Sequence, residues 1–157
     1  MRTKVNEAFL TLLIATFLLI PCNIRAQEKS QRELKLYDNV KLIEVSDLND
    51  SQKQFNDEYQ RFLPLFEDVL KKLTANWPAG SELTIRVTPG VKRVGSARIQ
   101  RPFARVTAFR KESKREFVGT LLLYSYVTRG PVSSKEIEQF LNKQILGSIK
   151  RAVNQKS

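Results

Sequence analysis

Apolar residues recur at helical spacing over residues 51–77. Phe55, Tyr59, Phe62, Phe66, Val69, Leu70, Leu73 and Trp77 follow one another at steps of three and four, which places them on one face of a helix. Ser51 and Gln54 match a capping box at its start, and Trp77-Pro78-Ala79-Gly80 is a helix-ending sequence. Pro64 interrupts the stretch without changing its phase. The pattern predicts one helix kinked at Pro64, or two helices that meet at Leu63.

A second helical stripe runs over residues 133–153. Its apolar positions are Ile137, Phe140, Leu141, Ile145, Ile149 and Val153. Ser133 and Glu136 form a second capping box. Gly147 lies inside the stripe, where glycine costs about 1 kcal/mol relative to alanine. It indicates either a close approach to another helix or a tolerated weakness.

Strand patterns occupy most of the remaining chain. Residues 34–45 alternate in part and predict one or two short strands, and residues 82–88 alternate cleanly. Pro89-Gly90 predicts the end of that strand, and residues 91–101 read as extended. Residues 102–128 contain two apolar runs joined by a polar turn, as in a β-hairpin.

The register of this hairpin follows if Glu112-Ser113 lies at the centre of an even-numbered loop. Arg105 then faces Thr120, and Val106 faces Gly119. An odd-numbered loop would instead move the side chains of one strand to the opposite face of the sheet. The elements in order are β-α-β-β-β-α, and the predicted fold is α+β: an antiparallel sheet packed on one face by two main helices.

The amino-terminal segment, residues 1–26, has the layout of a secretory signal peptide. Arg2 and Lys4 precede an apolar run over residues 9–20, and Ala26 suits cleavage. We expect a mobile lead-in over residues 27–33, one domain over residues 34–157, and a secreted or periplasmic protein. The alternatives are an uncleaved membrane anchor and a lipoprotein modified on Cys22.

Missing residue types limit the chemistry of the mature chain. The sequence has no histidine, and its one cysteine lies in the predicted signal peptide. Serine triads, cysteine nucleophiles and the usual zinc or haem ligands are therefore excluded. We expect no enzyme activity and no metal or cofactor. A carboxylate-dependent hydrolase is the less favoured alternative, with candidate acids Glu44, Asp47, Glu67 and Glu82.

Positive charge is concentrated in the predicted strands. Residues 27–157 hold 24 lysines and arginines against 15 acidic residues, a net charge of +9, and residues 83–129 alone hold 11 against 2. Arginine forks suit phosphate, sulfate or carboxylate groups, and aromatic rings beside them suit stacking. The candidate anion- or partner-binding residues are Arg86, Lys92, Arg93, Arg98, Arg101, Phe103, Arg105, Phe109 and Arg110.

These residues predict an exported, non-catalytic binding module with a basic sheet surface. Its partner would be an anionic envelope polymer, a lipid headgroup or an acidic protein, whereas export disfavours nucleic acid. The alternative is a structural or assembly protein of the cell envelope that uses Phe109, Tyr124 and Tyr126 as a protein contact. A further interpretation is a solvated basic sheet with no ligand. The interpretations differ in whether the sheet face that carries Arg105 is open.

Overall fold

The computed structural model describes residues 31–95, 99–113, 115–125 and 129–154. The predicted signal peptide, Arg98 and Tyr126 lie outside these ranges. Seven strands are present in the described ranges: β1 (Gln31–Tyr37), β2 (Val40–Val45), β3 (Leu83–Val94), β4 (Ile99–Arg110), β5 (Arg115–Leu122), β6 (Tyr124–Ser125) and β7 (Gly130–Pro131). Because β1 begins at Gln31, the end of the predicted lead-in is part of the sheet.

The helices are α1 (Asp50–Lys53), α2 (Asn56–Thr74), α3 (Ser134–Phe140) and α4 (Gly147–Asn154), with a π-helical segment (Leu141–Leu146) between the last two. The predicted capping box of Ser133 and Glu136 is confirmed. The other predicted capping box, formed by Ser51 and Gln54, is wrong. Asn49 caps α1 instead and forms the capping box with Gln52. One helix runs through Pro64, so two helices meeting at Leu63 is not the arrangement found.

The α+β class is confirmed, and the main sheet is mixed. Its strand order is β1-β2-β3-β4-β5. Three neighbouring pairs are antiparallel, as predicted, but β2 and β3 run parallel. The helices α1 and α2 lie between these two strands in the chain, and a helical crossover returns the chain to the end of the sheet where β2 began. A second, two-stranded sheet pairs β6 with β7.

The register of the β4/β5 hairpin agrees with the prediction for an even-numbered loop. Arg105 pairs with Thr120 and Val106 with Gly119. A short 3-10 turn (Lys111–Ser113) follows β4. Arg105 and Val106 therefore lie on opposite faces of the sheet, as this register predicts.

Strand β3 does not end at Pro89-Gly90, contrary to the prediction, but continues to Val94 and pairs with β4 throughout. The side-chain amide of Gln52 donates to the Pro89 carbonyl at 2.9 Å, and the Tyr59 hydroxyl donates to the Gly90 carbonyl at 2.7 Å. Burial raises the pKa of Tyr59 to about 12, so its hydroxyl stays protonated and able to donate. Proline is tolerated here because β2 no longer flanks β3 at this point.

The helices α2, α3 and α4 and the π-helical segment pack against one face of the sheet, which we call the inner face. Its buried strand positions are Val40, Leu42, Glu44, Leu83, Ile85, Val87, Ala104, Val106 and Ala108. The aliphatic and alanine side chains among them form one cluster with the buried residues of α2, α3, the π-helical segment and α4. Packing on one face of the sheet was predicted, and it leaves the opposite face for the candidate site.

Candidate functional site: the outer face of the sheet

The outer face consists of the strand positions that alternate with the buried ones. Its residues include Glu33, Lys35, Lys41, Ile43, Thr84, Arg86, Thr88, Lys92, Arg101, Phe103, Arg105, Thr107, Phe109, Glu116, Val118, Thr120 and Leu122. Arg86 and Arg105 are exposed, and Phe109 and Val118 keep 38% and 49% of their surface accessible. No helix in the described part of the chain covers this face, so the face that carries Arg105 is open as far as the described residues extend.

Arg86 and Arg105 form the centre of the outer face. Arg86 pairs with Thr107, and Arg105 lies two residues from Thr107 on the same strand, which makes the two arginines diagonal neighbours. Diagonal neighbours on a sheet lie about 7–8 Å apart at Cα. Neither arginine side chain has a hydrogen bond or ion pair with another described residue. Two positively charged side chains on neighbouring strands, with no acidic partner among the described residues, favour the binding of an anion.

The aromatic residues near these arginines have different roles. Phe109 is the other diagonal neighbour of Arg86 and is exposed, so its ring can contact a ligand. Phe103 is opposite Gly90, and its ring occupies the space that a side chain on residue 90 would fill. The predicted stacking role therefore suits Phe109, whereas Phe103 stabilises the strand pair.

The outer face continues along the β3/β4 hairpin beyond the other strands. Lys92 pairs with Arg101, and Val94 pairs with Ile99. Val94 and Ile99 are exposed, at 36% and 51%. The hairpin therefore extends the basic surface and adds an apolar pair next to it, in a segment that the sequence identified only as extended.

Two of the predicted binding residues lie elsewhere. Arg93 and Arg110 occupy inner-face positions by alternation, and the Nε of Arg110 is 2.8 Å from a carboxylate oxygen of Glu112. Arg98 lies outside the described residues. The structure thus brings together six of the nine candidates: Arg86, Lys92, Arg101, Phe103, Arg105 and Phe109.

Lys41, Ile43 and Val118 belong to the outer face but were not among the sequence candidates. Lys41 is 3.0 Å from a carboxylate oxygen of Glu33. The alternation in VKLIEV could have assigned Lys41 and Ile43 to the outer face, because Val40 and Leu42, which alternate with them, are buried. What the sequence lacked was the position of β2 beside β3.

The four candidate carboxylates for hydrolysis have different surroundings. Glu44 is buried on the inner face, and Asp47 is exposed in the loop after β2. The Oε1 of Glu67 is 2.6 Å from the Nζ of Lys71, and the Oε1 of Glu82 is 3.0 Å from the Nζ of Lys111. Three of the four are therefore either exposed or in ion pairs at the surface of the domain.

No protein-family model, curated protein or solved structure matches this chain. Among the helices that the structure describes, none has the length and apolar composition needed to cross a bilayer.

Proposed function

We propose that this protein is an exported, non-catalytic binding module whose outer face binds an anionic partner with closely spaced phosphate or carboxylate groups. The observation that carries the proposal is the open pair Arg86 and Arg105, which has no acidic partner among the described residues. An anionic envelope polymer, an anionic lipid surface and an acidic protein all present such groups.

The shape and composition of the outer face support this proposal. Four inter-strand steps of about 4.8 Å make it roughly 19 Å wide, which suits a polymer or a surface better than an enclosed small molecule. The hydroxyls of Thr88, Thr107 and Thr120 adjoin the two arginines and can donate further hydrogen bonds. Phe109 and Val118 supply apolar contact beside the charges.

A second candidate function is a structural or assembly role in the cell envelope through contact with another protein. The exposure of Phe109, Val118 and Tyr124, at 38%, 49% and 41%, favours this candidate. Aromatic residues are enriched at protein interfaces. A partner of this kind would bind with weak dependence on salt, because apolar burial is little affected by ionic screening.

The test measures binding of the purified protein to three anionic probes at about 10 mM and about 150 mM NaCl. The probes are phosphatidylglycerol-containing vesicles, polyphosphate and poly-glutamate, and they distinguish the lipid, polymer and protein classes of partner. We expect binding to at least one probe that weakens steeply with salt. The double variant R86A/R105A should weaken vesicle binding by about thirtyfold, at roughly 1 kcal/mol for each cation near an anionic surface.

The matched control is K135A/K143A, which removes two exposed positive charges from the helical side of the molecule. It should leave binding within about twofold of the unmodified protein if the outer face is the site. An equal loss in both double variants would show that only net charge matters. Equal loss, or binding that is unaffected by salt, contradicts the proposal.

A further inference from the structure

A pocket of about 270 Å³ lies on the helical side of the molecule, away from the outer face. It is formed where the turn after α2, the end of β4 and the last helix meet. Its walls include Trp77, Ser81, Arg110, Ile149, Lys150 and Val153. The volume corresponds to roughly nine water molecules at about 30 Å³ each and is just below the usual range of ligand pockets.

The hydroxyl of Ser81 has no hydrogen-bond partner within the described part of the chain. Ser81 is only 4% exposed, so water does not reach this hydroxyl freely. Most buried polar side-chain atoms in proteins have at least one partner, and an exception calls for an explanation. Because Ser81 also lines the pocket, rotation about its Cα–Cβ bond can turn this hydroxyl towards a bound group that accepts a hydrogen bond.

The turn that carries Ser81 is held in place by its own hydrogen bonds. The indole Nε1 of Trp77 donates to the Ser81 carbonyl at 3.1 Å, and the Ser81 amide donates to the Pro78 carbonyl at 3.1 Å. The Asn39 side chain also donates to the Pro78 carbonyl, at 2.8 Å. The backbone that carries the hydroxyl is therefore fixed before any ligand arrives, which lowers the entropic cost of binding.

The other walls combine positive charge with apolar surface. Arg110 and Lys150 are cationic, and Glu112 offsets part of the charge of Arg110. Ile149 is buried, and Val153 is 37% exposed. Together with the Trp77 ring, these side chains give the pocket a lining that combines apolar surface with two cations and a hydroxyl donor.

We propose that this pocket binds a compact carboxylate with an aromatic or branched apolar body. The carboxylate accepts a hydrogen bond from Ser81 and is attracted by Arg110 and Lys150. The apolar body packs against Trp77, Ile149 and Val153. This site is separate from the outer face, so the R86A/R105A variant should bind such acids as the unmodified protein does.

Trp77 is the only tryptophan of the chain, so its fluorescence reports directly on the pocket. The probes are phenylacetate and isovalerate, with phenylacetamide as a neutral control of the same shape as phenylacetate. We expect at least one of the acids to change the fluorescence with saturation and phenylacetamide to bind at least about tenfold more weakly, since hydrogen bonds to charged groups are the stronger ones.

Two variants and one control locate the site. S81A should weaken binding of the acid by about tenfold, because it removes the donor to the carboxylate. K150Q should weaken it by about threefold, as expected for a partly exposed charge pair. K143Q removes an exposed lysine that does not line this pocket and should have no effect.

Thermal unfolding of S81A without ligand separates binding from folding. Removing an unsatisfied buried hydroxyl should leave the melting temperature unchanged or raise it, so weaker binding could not be attributed to unfolding. The proposal is overturned if neither acid alters the fluorescence, if phenylacetamide binds as well as phenylacetate, or if S81A binds the acids unchanged.

Discussion

At the residue scale, Glu44 is the only charged side chain fully buried in the described part of the chain. It lies on β2 and faces the helices, with a carboxylate oxygen 3.5 Å from the guanidinium of Arg32. Burial raises the pKa of Glu44, the charge of Arg32 lowers it in part, and Glu67 raises it further. Because Arg32 is mostly exposed, it does not fully offset the cost of burying the carboxylate.

The raised pKa makes a prediction about the dependence of stability on pH. A carboxyl whose folded pKa is raised contributes stability when it is protonated, and this contribution is lost as pH rises through the folded value. The E44Q variant should therefore be more stable than the unmodified protein at neutral pH. The difference should shrink as pH falls towards the ordinary value of 4.5. Urea unfolding at several pH values measures it.

Glu33 provides the control for this substitution. It forms an exposed ion pair with Lys41 at 3.0 Å, and exposed pairs contribute about 0–1 kcal/mol. E33Q should therefore change stability little at any pH. Lower stability of E44Q at neutral pH would contradict the prediction and show that the ion pair with Arg32 outweighs desolvation.

At the element scale, the π-helical segment explains Gly147. Its amide donates to the carbonyl of Asn142, five residues earlier, and closes the π turn. A side chain on residue 147 would overlap that same carbonyl oxygen. Gly147 is therefore required by the wide turn of its own helix, whereas the sequence suggested an approach to another helix or a tolerated weakness. π turns of this kind occur often at functional sites.

G147A should destabilise the protein, although alanine favours helices by about 1 kcal/mol relative to glycine. The overlap with Asn142 forces the backbone to move, and overpacking of this kind costs about 1–3 kcal/mol. Thermal or urea unfolding measures the change. Q144A, an exposed substitution in the same segment, should have a small effect. If G147A stabilised the protein, helix propensity would dominate and the π turn would not constrain this position.

The sequence predicted those elements whose determinants are local. Helix α3 begins at a capping box formed by Ser133 and Glu136, and the β4/β5 register follows from the length of a short loop. The continuation of β3 through Pro89-Gly90 was missed, because it depends on hydrogen bonds from Gln52 and Tyr59, which are distant in sequence.

The same distinction applies to the candidate site. Alternation assigned Arg105 and Phe109 to one face of the hairpin and Arg86 to the polar face of its own strand, and the pairing of β3 with β4 puts all three on the same face. The sequence could not show that this face is open, since that depends on where both helices pack. The pocket at Ser81 was not predictable either, because its walls come from three separate segments of the chain.

At the scale of the whole molecule, the parallel β2/β3 pair divides the sheet into two parts. Strands β3, β4 and β5 follow one another in the chain and pair with their immediate neighbours. Joining β2 to β3 instead requires closing the long crossover that contains α1 and α2. Loop closure costs more entropy as the loop lengthens, and distant contacts form more slowly. We infer that β3–β5 forms in the folding transition state and that β1 and β2 join afterwards.

Two core truncations test this order of folding. Val106 on β4 and Leu42 on β2 are both fully buried. V106A should mainly slow refolding, whereas L42A should mainly accelerate unfolding. Stopped-flow measurements in urea give both rates. The inference fails if L42A slows refolding as much as V106A does. If it holds, the β1–β2 hairpin is the last part of the sheet to form and the first to detach.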